Sequence, residues 1–225
     1  MSDWFATAGG ERTRRASDAW WALGALVLVA VGGVVARANG VAGWERTAFR
    51  GVNDLPGAFS WLFVPVMLLG TLGGVAAVVV VAGSARRYPL AVCAGAAGFV
   101  GYLAADLAKQ LTERGRPADL LTGVALRGSV PHGFGYPSGH VTVAAAMATA
   151  AAPYLPRAGR FLAWVAVGIV AVGRMFAGAH FPLDVLGGLA LGAAVGLFVT
   201  FVAGRPAVPG PARRGPASRA PRPPL

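Results

Sequence analysis

Three short polar clusters interrupt an otherwise apolar chain, and each carries residue types suited to holding and attacking an oxyanion. In KQLTERGRP, Lys109 and Arg116 stand seven residues apart, two helical turns if a helix persists, so both cations can project toward one point. In GYPSGH, Pro137, Ser138, Gly139 and His140 mark a helix start. Unpaired amides and the helix dipole favour negative charge there, and Ser138 can cap the helix. In GRMFAGAHFPLD, Arg174, His180 and Asp184 appear together. On a helix starting near Pro182 the carboxylate lies one turn from the imidazole. It can accept from one ring nitrogen, fix the tautomer and leave the other lone pair free to attack.

Each cluster alone has an ordinary explanation. Lys109 can snorkel at an interface while Arg116 faces solvent, PSGH can be a plain cap, and Asp184 with Arg174 can be a buried ion pair. Together they offer three permanent cations, a helix N-terminus, two imidazoles and an orienting carboxylate, a set that fits phosphate oxygens. Glu113, Asp119 and Asp184 are too scattered to cage a divalent ion, so the cations are expected to neutralise charge without Mg²⁺ or another cofactor.

The elements that must position these groups are membrane helices. The 225 residues are 56% hydrophobic and only 13% charged, against about 25% charged in soluble domains. Six apolar runs emerge, approximately Ala19–Ala36, Ser60–Ala82, Pro89–Ala108, Val141–Tyr154, Phe161–Val172 and Phe181–Ala203. About 20 residues of helix cross a bilayer, so the fourth and fifth runs span only if extended through polar ends such as His140 and Arg174. Polar groups at span ends are where function is expected. The first run is longer than a signal h-region and is read as a span. Cys93, in an apolar run, reads as a small core residue. Gly188, Gly192 and Gly196, four apart, read as close-packing positions, with dimerisation the lesser alternative.

Twelve of the twenty basic residues fall in the N-terminus, the second and fourth loops and the tail. The positive-inside rule makes that side cytoplasmic and puts all three clusters on the extracytoplasmic face of a plasma-membrane protein. The expected organisation is a basic cytoplasmic N-terminus over 1–18, an all-α six-helix membrane domain over 19–204, and a disordered Pro/Arg-rich tail over 205–225. That tail can touch anionic lipid; no aromatic reader accompanies it, so nucleic acid is not an expected partner. The long first loop, Arg37 to Phe59, reads as a short amphipathic interfacial helix.

At the clustered residues the chain resembles the type 2 phosphatidic acid phosphatase family (PAP2), which shares its core with vanadium haloperoxidases. The family pattern is lysine, six residues, Arg-Pro; then Pro-Ser-Gly-His; then Ser-Arg, five residues, His, three residues, Asp. Lys109, Arg116 and Pro117; Pro137 to His140; and Arg174, His180 and Asp184 reproduce its order and spacing. Gly173 stands where the family usually has serine, which removes a hydroxyl donor.

The resemblance implies a PAP2-type phosphatase. His180 would be the nucleophile forming a phosphohistidine, with Asp184 holding its far nitrogen, and His140 the general acid and then base. Lys109, Arg116, Arg174 and the amides around Ser138 and Gly139 would grip the non-bridging oxygens. The implied substrate is a lipid phosphomonoester or pyrophosphate; a polyprenyl pyrophosphate, phosphatidate, phosphatidylglycerol phosphate and a polyprenyl-linked sugar phosphate are all compatible with a grip on phosphate alone. A phosphotransferase using the same site, and a non-enzymatic transporter or lipid-binding protein, are the alternatives. His132 matches no motif position, and Asp106 reads as a partner for Lys109.

Overall fold

In a computed structural model the described residues are 12–38, 40–128 and 132–206. The first eleven residues of the expected basic N-terminus and the tail beyond Pro206 lie outside them. The chain forms helices α1 (Ala16–Ala38), α2 (Gly43–Asn53), α3 (Ser60–Met67), α4 (Leu72–Ser84), α5 (Tyr88–Thr112), α6 (Gly139–Ala151), α7 (Arg157–Phe176) and α8 (Pro182–Ala203), with short 3₁₀ turns between some of them.

α1, α7, α8 and the stretch Tyr88–Leu120 containing α5 are long and apolar enough to cross a membrane. Gly43–Asn53 and Gly57–Gly70 qualify together as a fifth unit bent by 80°. Large side chains such as Trp20, Trp21, Leu28, Val34, Trp61 and Phe161 point outward. An apolar surface of this extent belongs against lipid.

Two expected spans take other forms. Ser60 to Ala82 is not one helix: it breaks into α3, a 3₁₀ turn at Leu68–Gly70 and α4. Thr71 is extended (φ −103°, ψ 163°), and its hydroxyl accepts from Gly74 N–H at 3.0 Å to restart the helix. The fourth run gives only the 13 residues of α6 followed by a 3₁₀ turn. As expected, α6 and α7 do extend through His140 and Arg174.

α6 is the axis of the bundle. Its sequence GHVTVAAAMATAA is small and apolar all round, and such a helix is buried on every side. Val141, Ala144, Ala145 and Ala148 meet Val167, Val170 and Ala171 of α7. Ala146 and Ala150 pack with Cys93, Ala97 and Ala105 of α5 and with Leu191 and Val195 of α8, so Cys93 is the core residue expected. In lipid the hydrophobic effect does not hold helices together; close van der Waals contact between small residues does. The α8 glycines show how close the approach is. A Cβ at Gly188 would stand 2.7 Å from Ser138 O, and one at Gly192 2.5 Å from Thr142 O.

The described chain ends meet. Arg12–Thr13 pairs antiparallel with Arg205–Pro206, and the Arg205 guanidinium grips the Asp18 carboxylate at 2.7 and 3.0 Å. The first residues of α8, where His180 and Asp184 gather, lie about 30 Å away along that helix.

Candidate active site

α5 carries Lys109 in its last turn and stops at Glu113, whose left-handed backbone (φ 50°) ends the helix. Gly115 and Pro117 follow, so the helix does not persist to Arg116 as the seven-residue spacing required. Arg116 returns through the loop and caps a single helical turn, Pro117–Leu120. Its side chain is buried and laced to backbone: Nε donates to Gly133 O (2.8 Å), Nη1 to Ala179 O (3.0 Å) and Nη2 to His132 O (3.0 Å). Nη1 also lies 3.5 Å from His180 Nε2. Arg116 therefore both fixes the loops around the site and presents charge to the nucleophile candidate. His132 contributes its carbonyl; its ring is exposed.

The PSGH segment starts α6 as anticipated, but Ser138 does not cap it. The backbone of Ser138 takes the N-cap position without a side-chain cap bond, and its buried Oγ has no hydrogen-bond partner. Its N–H donates to Asp184 O (2.9 Å), tying this segment to α8. Gly139 faces the lysine: a Cβ there would sit 3.4 Å from Lys109 Nζ. Gly70, at the break before α4, presses on His140, since a Cβ at Gly70 would stand 2.7 Å from His140 Cβ. A cleft of ≈ 490 Å³ opens here, lined by Gly70, Thr71, Tyr102, Asp106, Lys109 and His140. Asp106 accepts from Gln110 Nε2 (3.1 Å) rather than forming an ion pair with Lys109.

His180 lies in the loop between α7 and α8, 1% exposed. Its Nδ1 is 3.6 Å from Asp184 Oδ2, the helical neighbour the i, i+4 spacing anticipates, at slightly more than hydrogen-bonding distance. Asp184 is itself held by Phe181 N–H (2.8 Å to Oδ2) and by Arg114 Nη1 (2.7 Å to Oδ1). The ion pair of Asp184 is thus with Arg114, not Arg174. Arg114 in turn grips Glu45 of α2, at 2.7 Å from Nη2 to Oε2.

Sequence reasoning missed Arg114 and Glu45 because each resembled an ordinary loop charge. The available signal was the four-residue spacing of Glu45, Phe49 and Asn53. All three are buried on one face of α2, so the expected amphipathic helix turns two polar residues inward. Asn53 Nδ2 donates to Ala125 O (2.9 Å) and Phe176 O (3.1 Å), clamping α2 to the loop before the site and to the end of α7.

The clusters converge electrostatically as well. Arg174, His180, Lys109 and Arg116 all act on His140, and Arg174, Arg116 and Lys109 act on His180. Burial removes the His180 ring from water and these cations repel a further positive charge, holding its pKa well below the usual 6.5. The Gly135 backbone works in the opposite sense. The ring is therefore neutral at physiological pH. Among the described residues, the buried side-chain polar atoms without a partner are Arg114 Nε, Ser138 Oγ, Arg174 Nε and His180 Nδ1. Also among the described residues, no group of three or more His, Cys, Asp or Glu stands ready to hold a metal ion. At Gly173, an added Cβ would meet Met67 Cγ at 3.0 Å and Phe63 Cβ at 3.3 Å, so α3 fills the space of the family serine.

This geometry can be set beside known proteins. The chain is 40% identical over 112 residues to decaprenylphosphoryl-5-phosphoribose phosphatase from two strains of Mycobacterium tuberculosis. The match spans 49% of this chain and 60% of that relative's length. Two solved structures share the fold. Aquifex aeolicus LpxE has a TM-score of 0.63 at 22% identity, covering 70% of this chain and 95% of its own. A transmembrane PAP2-type phosphatidylglycerolphosphate phosphatase from Bacillus subtilis has a TM-score of 0.66 at 18% identity, covering 80% and 94%. The PAP2 superfamily model matches residues 88–205, more than half the chain and every motif residue from Lys109 to Asp184. With sequence family, fold and motif geometry in agreement, the chain belongs to the PAP2 superfamily.

Proposed function

We propose that the protein is a membrane lipid phosphatase that removes a terminal phosphate from a lipid carrier through a phosphohistidine on His180, without a metal ion. The observation that carries this reading is the convergence of Lys109, Arg116 and Arg174 on two imidazoles, beside the unpartnered buried Ser138 Oγ and Arg174 Nε. Buried polar atoms without partners are expensive to maintain, and a phosphoryl group would satisfy them.

In the first step the His180 Nε2 lone pair attacks phosphorus and the bond to the leaving oxygen breaks. His140, which takes up a proton once the bound phosphate's negative charge offsets the surrounding cations, gives that proton to the departing alkoxide. In the second step His140 accepts a proton from water, whose oxygen attacks phosphorus as the P–N bond breaks. Phosphate leaves and His140 is again protonated. Lys109, Arg116, Arg174 and the first amides of α6 stabilise charge on the equatorial oxygens throughout. Asp184 holds the ring and stabilises the imidazolium character that develops.

The name of the 40% identical relative supports a polyprenyl-phosphate-linked sugar phosphate as the substrate. We infer six crossings of the plasma membrane, with the broken α3–α4 unit and α6 as the two irregular ones. The meeting of the described chain ends supports an even number. The arginine distribution then makes those ends cytoplasmic and the site extracytoplasmic. Reporter fusions at Arg86 and Arg127 should fall on opposite sides; the same side defeats the topology.

The test is phosphate release by purified protein from a panel containing a polyprenyl-phosphoryl sugar phosphate, a polyprenyl pyrophosphate and phosphatidate. The first should turn over fastest, and His180→Ala and His140→Ala should release none while remaining folded. Release by the His180 variant would refute the covalent mechanism, and preference for another lipid would refute the substrate.

A further inference from the structure

We propose that Glu45 and Arg114 are positioning residues for the nucleophile: together they lock Asp184 and the start of α8 so that His180 is held in its attacking orientation. This deepens the reading of the same site and rests on His180 being the nucleophile. Glu45 lies before residues 88–205, so part of the catalytic apparatus would come from outside the segment that the family match covers.

The geometry is that of a fork between two carboxylates. Arg114 Nη1 donates to Asp184 Oδ1 (2.7 Å) and Glu45 Oε1 (3.2 Å), and Nη2 donates to Glu45 Oε2 (2.7 Å) and Gly40 O (3.1 Å). The three side chains are 2%, 2% and 0% exposed. Glu45 Oε1 also accepts from Leu183 N–H (3.2 Å), and Asp184 Oδ2 accepts from Phe181 N–H (2.8 Å). Phe181 is packed between the Arg114 guanidinium, 5.0 Å from its ring centroid, and Phe49 of α2, 5.4 Å between centroids. Three of the four residues following His180 are thus held by this network.

Energetics point to orientation rather than bulk stability. A buried ionic network gains little over a packed apolar one, because desolvation offsets the attraction. Its distinctive property is direction. The planar guanidinium occupies Oδ1 and fixes the carboxylate plane, which leaves Oδ2 turned toward His180 Nδ1. Lysine could carry the charge but could not bridge both carboxylates with one flat fork.

The test uses full-length protein in detergent, following phosphate release from a polyprenyl-phosphoryl sugar phosphate and from short-chain phosphatidate. Glu45→Gln and Arg114→Lys should each lower kcat by about 10- to 100-fold, the scale of a nucleophile misplaced by about 1 Å. KM should stay within about twofold, because the phosphate grip is untouched. A purely structural role would instead lower the folded fraction and leave kcat per folded molecule unchanged. Unchanged kcat per folded molecule, or a raised KM at constant kcat, overturns the proposal. If Glu45→Gln does not yield folded protein, Arg114→Lys decides by the same criteria. His180→Ala is run alongside. Turnover by that variant defeats the mechanism itself, whereas an inert His180 variant beside fully active Glu45→Gln and Arg114→Lys defeats only the positioning role.

Discussion

Arg114 reaches Asp184 more closely than His180 does: its Nη1 stands 2.7 Å from Oδ1, against 3.6 Å between His180 Nδ1 and Oδ2. The carboxylate is therefore anchored from behind before it meets the imidazole. In the proposed mechanism its first duty is to be rigid, and its second is to orient the ring.

This arrangement predicts the behaviour of Asp184→Asn. The amide keeps the shape but loses the charge that would stabilise developing imidazolium, so kcat should fall by about 10³- to 10⁴-fold. Rapid-quench measurement should show slow phosphoenzyme formation. Formation at the normal rate, with only its breakdown slowed, would contradict the assigned role.

The site's cations predict a response to chelation and to a phosphate mimic. Activity should persist in excess EDTA, and vanadate, which adopts the five-coordinate geometry of the transferring phosphoryl group, should inhibit at concentrations below that of the substrate. Loss of activity on chelation, restored by a divalent ion, would overturn the cation-only site.

Acid stability offers a third check. His180 is buried with its pKa well below 6.5, while in the unfolded chain it protonates near that value. Below pH about 6.5 the unfolded state binds the extra proton, so this residue's contribution is intact above that pH and is lost as pH falls. The slope approaches about 1.4 kcal/mol per pH unit. In thermal melts between pH 7.5 and 5.5, His180→Gln should lose less stability on acidification than the parent. An equal loss would show that the imidazole is not held neutral.

Packing is testable at the α6–α8 contact. A methyl at Gly192 would meet Thr142 O at 2.5 Å and Ala145 Cβ at 2.7 Å. Gly192→Ala should destabilise the fold by about 1–3 kcal/mol, despite alanine's better helix propensity. An unchanged or raised melting temperature would show that the helices part more easily than this geometry implies.

How much of this was legible in the sequence depends on whether the information is local. The helix start at Gly139, the pairing of His180 with Asp184 across one turn and the small-residue face of α8 each follow from spacings within a few residues. The motif residues pointed to phosphate only in combination, because a lysine, arginine or histidine at a span end has ordinary uses when it stands alone. The end of α5 was less visible: Glu113 takes a left-handed conformation that its residue type does not advertise, and Arg116 reaches the site by a loop instead of a second helical turn. The break at Leu68–Thr71 was hidden by uniformly apolar residues. Glu45 was hardest, since a carboxylate 69 residues from its partner Arg114 shows its purpose only when the chain is folded.

The interruption between α3 and α4 has a physical corollary. Backbone outside helix survives within an apolar span only where protein buries it or water wets it. The turn at Gly70–Thr71 opens onto the same cleft as Lys109 and His140, so the frayed stretch makes a moist notch in an oily wall. Under the proposed mechanism, solvent entering by that side door meets His140, the group assigned to activate it, while the lipid's tails stay outside.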